Sequence, residues 1–322
     1  MRKISLMFIA FMMSGLTGIY AQKEVVEYLK AGSQTQSLIQ SYVEPLLGSF
    51  GTNLNNGWYS TAEPLNPGRF TISTGVSVAF VRTSKQTFTI NSTPQLSTPG
   101  GTPMTAPTMF GANSSPGDLH NNLTGTSIPV PKGDGIPLSP LPLLQGSVGL
   151  PLHTEVMLRI FPKLDVAGYK AGYFGFGFKH DIKQWIPFMS KLPFSLSFIG
   201  TFTSASLQLT DATLVNSNET IKYSATGWGA NLIISKKFPI FSFYGGLRLS
   251  NYKTDLNMTG NYMVTSTISA PVDLTFTDKG NQFGLNGGVR VKLGFFALGL
   301  DGVYNPGGYS SATLGLIFGL FN

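Results

Sequence analysis

From residue 70 to the C-terminus, apolar and small or polar residues alternate with a period of two, and the pattern recurs at least nine times. Successive side chains of a strand point to opposite faces, so each such segment carries one oily face and one small or polar face. The segments are 70–80, 148–160, 174–181, 194–203, 228–234, 241–250, 283–293, 296–301 and 314–320. Two arrangements satisfy faces of this kind. Either the oily faces meet in a dry sandwich, or they look outward at lipid around a closed ring of strands.

Three observations favour lipid. Several segments reach the ten or so residues that a tilted strand needs to cross a bilayer. The opposite face is Gly, Ser, Thr, Asn and isolated charges, and only 11% of the 322 residues are charged, against about 25% in a typical soluble domain. The connections also alternate, tight at 236–239 and 294–295, long and polar at 210–220 and 252–279. In hydrocarbon only a closed sheet leaves no strand edge unpaired. The expected fold is therefore all-β, a closed antiparallel transmembrane β-barrel, with a secreted β-sandwich as the alternative. No apolar run past the N-terminus is long enough for a membrane-spanning helix. The absence of Cys excludes disulfides, thiolate metal sites and Cys nucleophiles.

The N-terminus has a basic pair, Arg2 and Lys3, an apolar core over 4–13 and a small, polar stretch ending at Ala21. This is the pattern of a secretory signal peptide over 1–21. With Arg2 and Lys3 removed from the 22 basic and 15 acidic residues, the mature chain carries a net charge near +5. No Lys/Arg cluster accompanies that charge. It suits anionic lipid headgroups and offers no nucleic-acid patch.

Residues 22–66 form an N-terminal segment of different character. Leu38, Ile39, Tyr42, Val43, Leu46, Leu47 and Phe50 lie on one helical stripe. Ser33 and Gln36 have capping-box spacing, Pro45 is expected to kink or divide the helix, and a shorter helix is expected over 24–30. The polar face has almost no Lys or Arg, which favours a hatch in the barrel over an interfacial helix. Leu38, Tyr42, Leu46 and Trp58 are its candidate hatch contacts. Residues 67–322 form the barrel, interrupted by a Pro/Thr/Ser/Gly-rich loop at 91–146. A barrel with both ends on one side needs an even strand number. The tenth strand is expected at 85–91, giving about ten, with eight to fourteen allowed.

Asn55-Asn56-Gly57-Trp58-Tyr59-Ser60-Thr61-Ala62, Thr154-Glu155-Val156-Met157-Leu158-Arg159-Ile160-Phe161-Pro162 and Gly177-Phe178-Lys179-His180-Asp181-Ile182-Lys183-Gln184-Trp185-Ile186-Pro187 resemble an uncharacterised family of Gram-negative outer-membrane barrel proteins. More distantly the chain is similar to FadL-type transporters of hydrophobic compounds, in which an N-terminal helical hatch plugs the barrel. It departs from them in being shorter and in lacking an Asn-Pro-Ala hatch motif. The resemblance implies the outer membrane, its lipid as a partner, and passage of a small hydrophobic ligand.

Glu155, Arg159, Lys179, Asp181, Arg248, Arg290, Lys292 and Asp301 fall on the polar faces of their strands. Isolated charges in a narrow lumen are costly, so these should pair with one another or with hatch residues such as Glu27 or Glu44. They either hold hatch and barrel together or line a path or ligand pocket. Trp58, Tyr59, Trp185 and Phe188 suit an aromatic girdle. His153 and Glu155 share a face and could be base and orienter of a hydrolase, but no Gly-x-Ser-x-Gly elbow accompanies them. His180 and Asp181 point to opposite faces and make a poor metal pair. The chain shows no phosphate loop, EF-hand or zinc pattern, so no cofactor and no enzymatic activity are expected. The expected role is passive uptake or binding of a small hydrophobic molecule, gated by the N-terminal segment. The alternative is a structural or surface-interaction barrel that transports nothing. Oligomeric state is open.

Overall fold

The computed structural model describes residues 28–166, 169–209, 219–263 and 269–322. The signal peptide expected over 1–21, Glu27 and most of the short helix expected over 24–30 lie outside them.

Ten strands close into one barrel. In chain order they are β1 (Phe70–Phe80), β2 (Leu138–Leu150), β3 (Thr154–Val166), β4 (Tyr169–Asp181), β5 (Ser195–Leu209), β6 (Thr220–Lys237), β7 (Phe241–Met263), β8 (Ser269–Leu293), β9 (Phe296–Tyr304) and β10 (Ser310–Gly319). Each pairs antiparallel with the next, and β10 closes on β1 through rungs such as Val76↔Leu314. The strand number is the expected one, but its derivation is corrected. Residues 148–160 are not one strand. They are the end of β2 and the start of β3, joined by a tight turn in which Leu152 and His153 adopt φ of 59° and 51°. Non-Gly residues rarely take that conformation, and although Pro151 is a turn residue, Leu152 stays in step with the alternation of Val148 and Leu150 and hides the break. The strand at Thr87–Ile90 exists, but it pairs with Met104–Pro107 outside the barrel. The loop thus ends at 137.

Phe174, Phe176 and Phe178, like Leu247, Leu249, Phe283 and Leu285, are exposed on the outer face. On β6, β7 and β8 the alternation then inverts. Below the rung Trp228↔Asn251↔Asn281 the outward residues are apolar and the inward ones polar. Above it Lys253, Asp255 and Asn257 face out, while Tyr252, Leu256 and Met258 are buried inside. A strand that leaves hydrocarbon for water must exchange the chemistry of its two faces. The inversion therefore marks where lipid ends on this side, and 252–279 is a continuation of two strands where a loop was expected. Replacing Phe176, midway along the outward aromatics of β4, with Arg should destabilise the folded barrel by about 2–4 kcal/mol. Thr226→Arg, outward but above the inversion, should be near neutral. Urea titration in lipid vesicles compares the two, and equal costs would remove the lipid assignment.

Helix α1 (Thr35–Asn53) follows a 3-10 turn at Tyr28–Gln34 and runs on through Pro45. Gln34 takes the N-cap position, without a side-chain cap bond, so the expected capping box is not formed. The helix lies in the raised end of the barrel. Gly51 is pressed against Tyr252, where a Cβ would strike the ring. The insert 81–137 folds over it as a cap. Ile39, Tyr42, Val43 and Leu47 share one core with Ile90, Leu96, Leu119 and Ile128 of the cap and with Leu256, Met258 and Phe276 of the raised strands. Tyr42 Oη donates to Lys132 O at 2.8 Å, and Lys85 pairs with Glu44. Glu44 is thereby engaged with the cap, and not with the lumen charges as expected.

Candidate functional site

Below α1 the chain continues as an irregular thread, residues 54–69, through the lumen to the end that carries the tight turns. Gly57, at φ 67°, supplies the bend after Asn55-Asn56. The barrel's small and polar inward face then holds the thread rung by rung. Thr203 Oγ1 donates to Leu54 O (3.0 Å), and Asn55 Nδ2 to Asn251 O (3.0 Å). Asn56 donates to Ser77 and Ser311 and accepts from Arg248 Nη1. Tyr59 donates to Asn231 (3.1 Å), and Ser197 Oγ to Ala62 O (2.6 Å). Leu65 N donates to Glu155 Oε2 at 3.0 Å.

Trp58 is the widest point of the thread and 1% exposed. The Arg159 guanidinium lies 3.9 Å over its ring, and Arg159 Nε donates to Gln145 Oε1 (3.0 Å). The ring fits because β4 presents Gly175 and Gly177 there, where a Cβ would stand 3.1 Å from it. Trp58 and Tyr59 are thus lumen residues and not girdle aromatics; for Trp58 this is the place of a hatch contact, the other of its two expected positions. Trp185 and Phe188 are exposed beside the tight turns.

The other sequence-expected residues divide into groups. Glu155 and Lys179 form a buried ion pair at 2.9 Å. Asp301 accepts from Tyr244 Oη at 2.9 Å. Arg159, Arg248 and Arg290 are buried in the lumen. Asp181 and Lys292 sit instead at the mouth, half-buried, where Asp181 accepts from Lys183 N and Lys292 donates to Asn322 O. Leu38 and Tyr42 are buried in the cap core, and Leu46 is half-buried against it. His153 bonds Gln184 and Glu155 bonds Lys179 and Leu65, so no hydrogen bond joins the two as base and orienter. Among the described residues no cluster of His, Asp and Glu could hold a metal.

The wall has one feature the residue pattern did not announce. The β2–β3 ladder runs from Leu150↔Thr154 to Gln145↔Arg159 and stops there. Residues 138–144 of β2 pair with β1 on one side only. Pro140 and Pro142 have no N–H to give. Leu144 N, of the same parity, donates to Tyr173 Oη (2.8 Å) instead of to β3. A crevice opens along this edge, lined by Pro140, Leu141, Pro142, Tyr173 and Leu207, with Phe50 of α1 at its inner side. Phe50 packs edge-on against Tyr223 at 5.0 Å. The signal in the sequence was the Pro-x-Pro spacing, which is confined to edges and bulges within a sheet.

Several solved structures are similar to this one, among them three outer-membrane proteins. The translocator domain of the autotransporter NalP from Neisseria meningitidis matches at 9% identity and TM-score 0.32, covering 80% of this chain and 89% of that one. The attachment invasion locus protein Ail of Yersinia pestis matches at 8% identity and TM-score 0.30, covering 79% and 97%. A Pseudomonas aeruginosa FadL homologue matches at 9% identity and TM-score 0.24, covering 85% and 96%. At these values nothing of those proteins' roles passes to this chain, and the FadL likeness stays distant. No curated protein sequence matches. The pattern of a protein family described as "Family of unknown function (DUF6588)" matches residues 1–320.

Proposed function

The chain belongs to that family of unknown function, and from its geometry we propose that it is an outer-membrane protein that captures or passes a small hydrophobic molecule, with the N-terminal thread as its gate. The carrying observation is the unpaired edge of β2 and the apolar crevice beside it. Within hydrocarbon, unpaired backbone is tolerated only where protein or water covers it. An edge kept open there by two prolines therefore needs a reason beyond stability. An oily molecule in the membrane finds at this edge an apolar entrance that ends on Phe50. The thread beneath is held by single hydrogen bonds to small polar side chains, each worth about 0.5–1.5 kcal/mol net, while α1 above is held by an apolar core. The thread is thus the part that can yield, and α1 the part that stays.

The chain has no cysteine, so one engineered disulfide can staple the edge. Leu144 and Ile160 are the next pair beyond the last rung, and both face outward. Oxidised Leu144→Cys/Ile160→Cys should slow uptake of a hydrophobic fluorophore such as N-phenyl-1-naphthylamine into protein-bearing vesicles about tenfold, with recovery on reduction. Val148→Cys/Val156→Cys, on a rung already paired, should leave uptake unchanged. Equal uptake with the staple open and closed would set the reading aside in favour of a barrel that transports nothing.

A further inference from the structure

The lumen holds a second cavity, of about 80 Å³, beside the lower half of the thread. It is distant in kind from the wall crevice, being lined by Arg290, Thr313, Ser73, Ser147 and Lys179 together with Phe321. The buried cations of the lumen, Arg159, Lys179, Arg248 and Arg290, outnumber its buried carboxylates, Glu155 and Asp301. Each carboxylate around the cavity is already engaged. Glu155 accepts from Lys179 Nζ and Leu65 N, Asp301 from Tyr244 Oη, and Glu63 pairs with Lys237.

Arg290 is left over. It is 8% exposed, its guanidinium stands 5.7 Å from the Phe321 ring, and no described carboxylate lies within ion-pair distance. Its Nε is buried with no hydrogen-bond partner, as is the hydroxyl of Thr313. Asn286, four residues earlier on the same face of β8, is also without partners, and Arg248 has two further nitrogens in the same condition. A buried guanidinium kept from its usual acceptors is costly unless something supplies them. Guanidinium groups match the geometry of carboxylate and phosphate better than that of any neutral group.

We propose that this cavity is a binding site for a compact oxyanion, a phosphate or carboxylate, free or as the head group of an amphiphile, seated on Arg290 and Thr313. The volume agrees, since one water needs roughly 10–15 Å³ by this measure and the cavity therefore holds a few waters or one such anion. The site does not depend on the wall crevice or on uptake, and stands or falls separately.

The test is calorimetric titration of the folded full-length protein in a non-ionic detergent with inorganic phosphate, octyl phosphate and octanol. Phosphate or octyl phosphate should bind, and Arg290→Gln should weaken that binding at least tenfold while Arg290→Lys retains part of it. Thr313→Val should weaken it by a smaller factor. Phosphate binding comparable to octyl phosphate supports a free anion as the ligand, and octyl phosphate binding far more tightly supports a head group. Octanol binding as well as octyl phosphate would overturn the proposal, as would equal affinities in the folded wild type and Arg290→Gln. Folding of each variant is read from the shifted gel mobility of the unboiled barrel. If Arg290→Gln does not fold, competition between phosphate and octyl phosphate on the wild type decides, and no binding of either overturns the site.

Discussion

Truncating Trp58 to alanine is expected to be the most damaging single change in the thread. The side chain is fully enclosed, and removing an aromatic of this size from a packed site costs about 3–5 kcal/mol. The loss is more than volume. Arg159 lies 3.9 Å over the ring, and a desolvated cation–π contact contributes up to about 2 kcal/mol. Gly175 and Gly177 leave a recess shaped to the ring, and the barrel backbone cannot collapse inward to close it. The ring in this recess occupies the lumen across its inward face. Trp58→Ala should therefore lower the urea midpoint and raise single-channel conductance in planar bilayers. Gly177→Leu should strike the ring from the other side and lower the midpoint as well. A variant with unchanged midpoint and unchanged conductance would show that the thread does not fill the lumen as described.

Lys179→Ala should come next in size. It leaves Glu155 buried beside Leu65 N with its charge uncompensated, and breaking a buried ion pair from one side costs about 3–5 kcal/mol. Removing both charges with Glu155→Gln and Lys179→Met should recover most of that loss, because two neutral groups of similar shape need no partner. Glu155→Gln keeps an acceptor for Leu65 N, so the thread's lower anchor survives in the double variant. Unfolding in urea compares the three proteins. If the double variant were as unstable as Lys179→Ala, the loss would come from packing around the lysine stem and not from the orphaned carboxylate.

Much of the fold was legible because strand periodicity is a local property. Phe174, Phe176 and Phe178 face outward on β4 as their spacing requires, and Lys179 faces inward for the same reason. The stripe through Ile39, Tyr42 and Val43 is a helix whose apolar face is buried. What misled the reading was local as well. Pro140 and Pro142 carry loop signals but occupy a strand with one free edge. Pro151, Leu152 and His153 make a tight turn, but Leu152 continues the alternation of Val148 and Leu150, so the period runs straight across the one turn signal, Pro151. Tyr252 to Lys279 looked polar enough for a loop because the strands there stand in water, with their oily side turned in against α1. Trp58, an amphipathic aromatic after a turn, suits either the membrane surface or the hatch by sequence alone. Its recess is made by two glycines more than a hundred residues away in the chain.

The alternation of residue types alone determined that this chain forms strands with one oily face, and strand length with the scarcity of charge turned that face to lipid in a sheet that must close on itself. Period and backbone satisfaction are properties each segment carries with it. Only the tertiary structure decided that α1 sits under the cap, that Glu155 serves Lys179 and Leu65 together, that β2 leaves part of its edge unpaired, and that Arg290 keeps no acceptor. Only the β2 edge leaves a local mark, in the spacing of Pro140 and Pro142; the others depend on register and on which distant side chains reach a group first, and such competition has no trace in the neighbouring sequence.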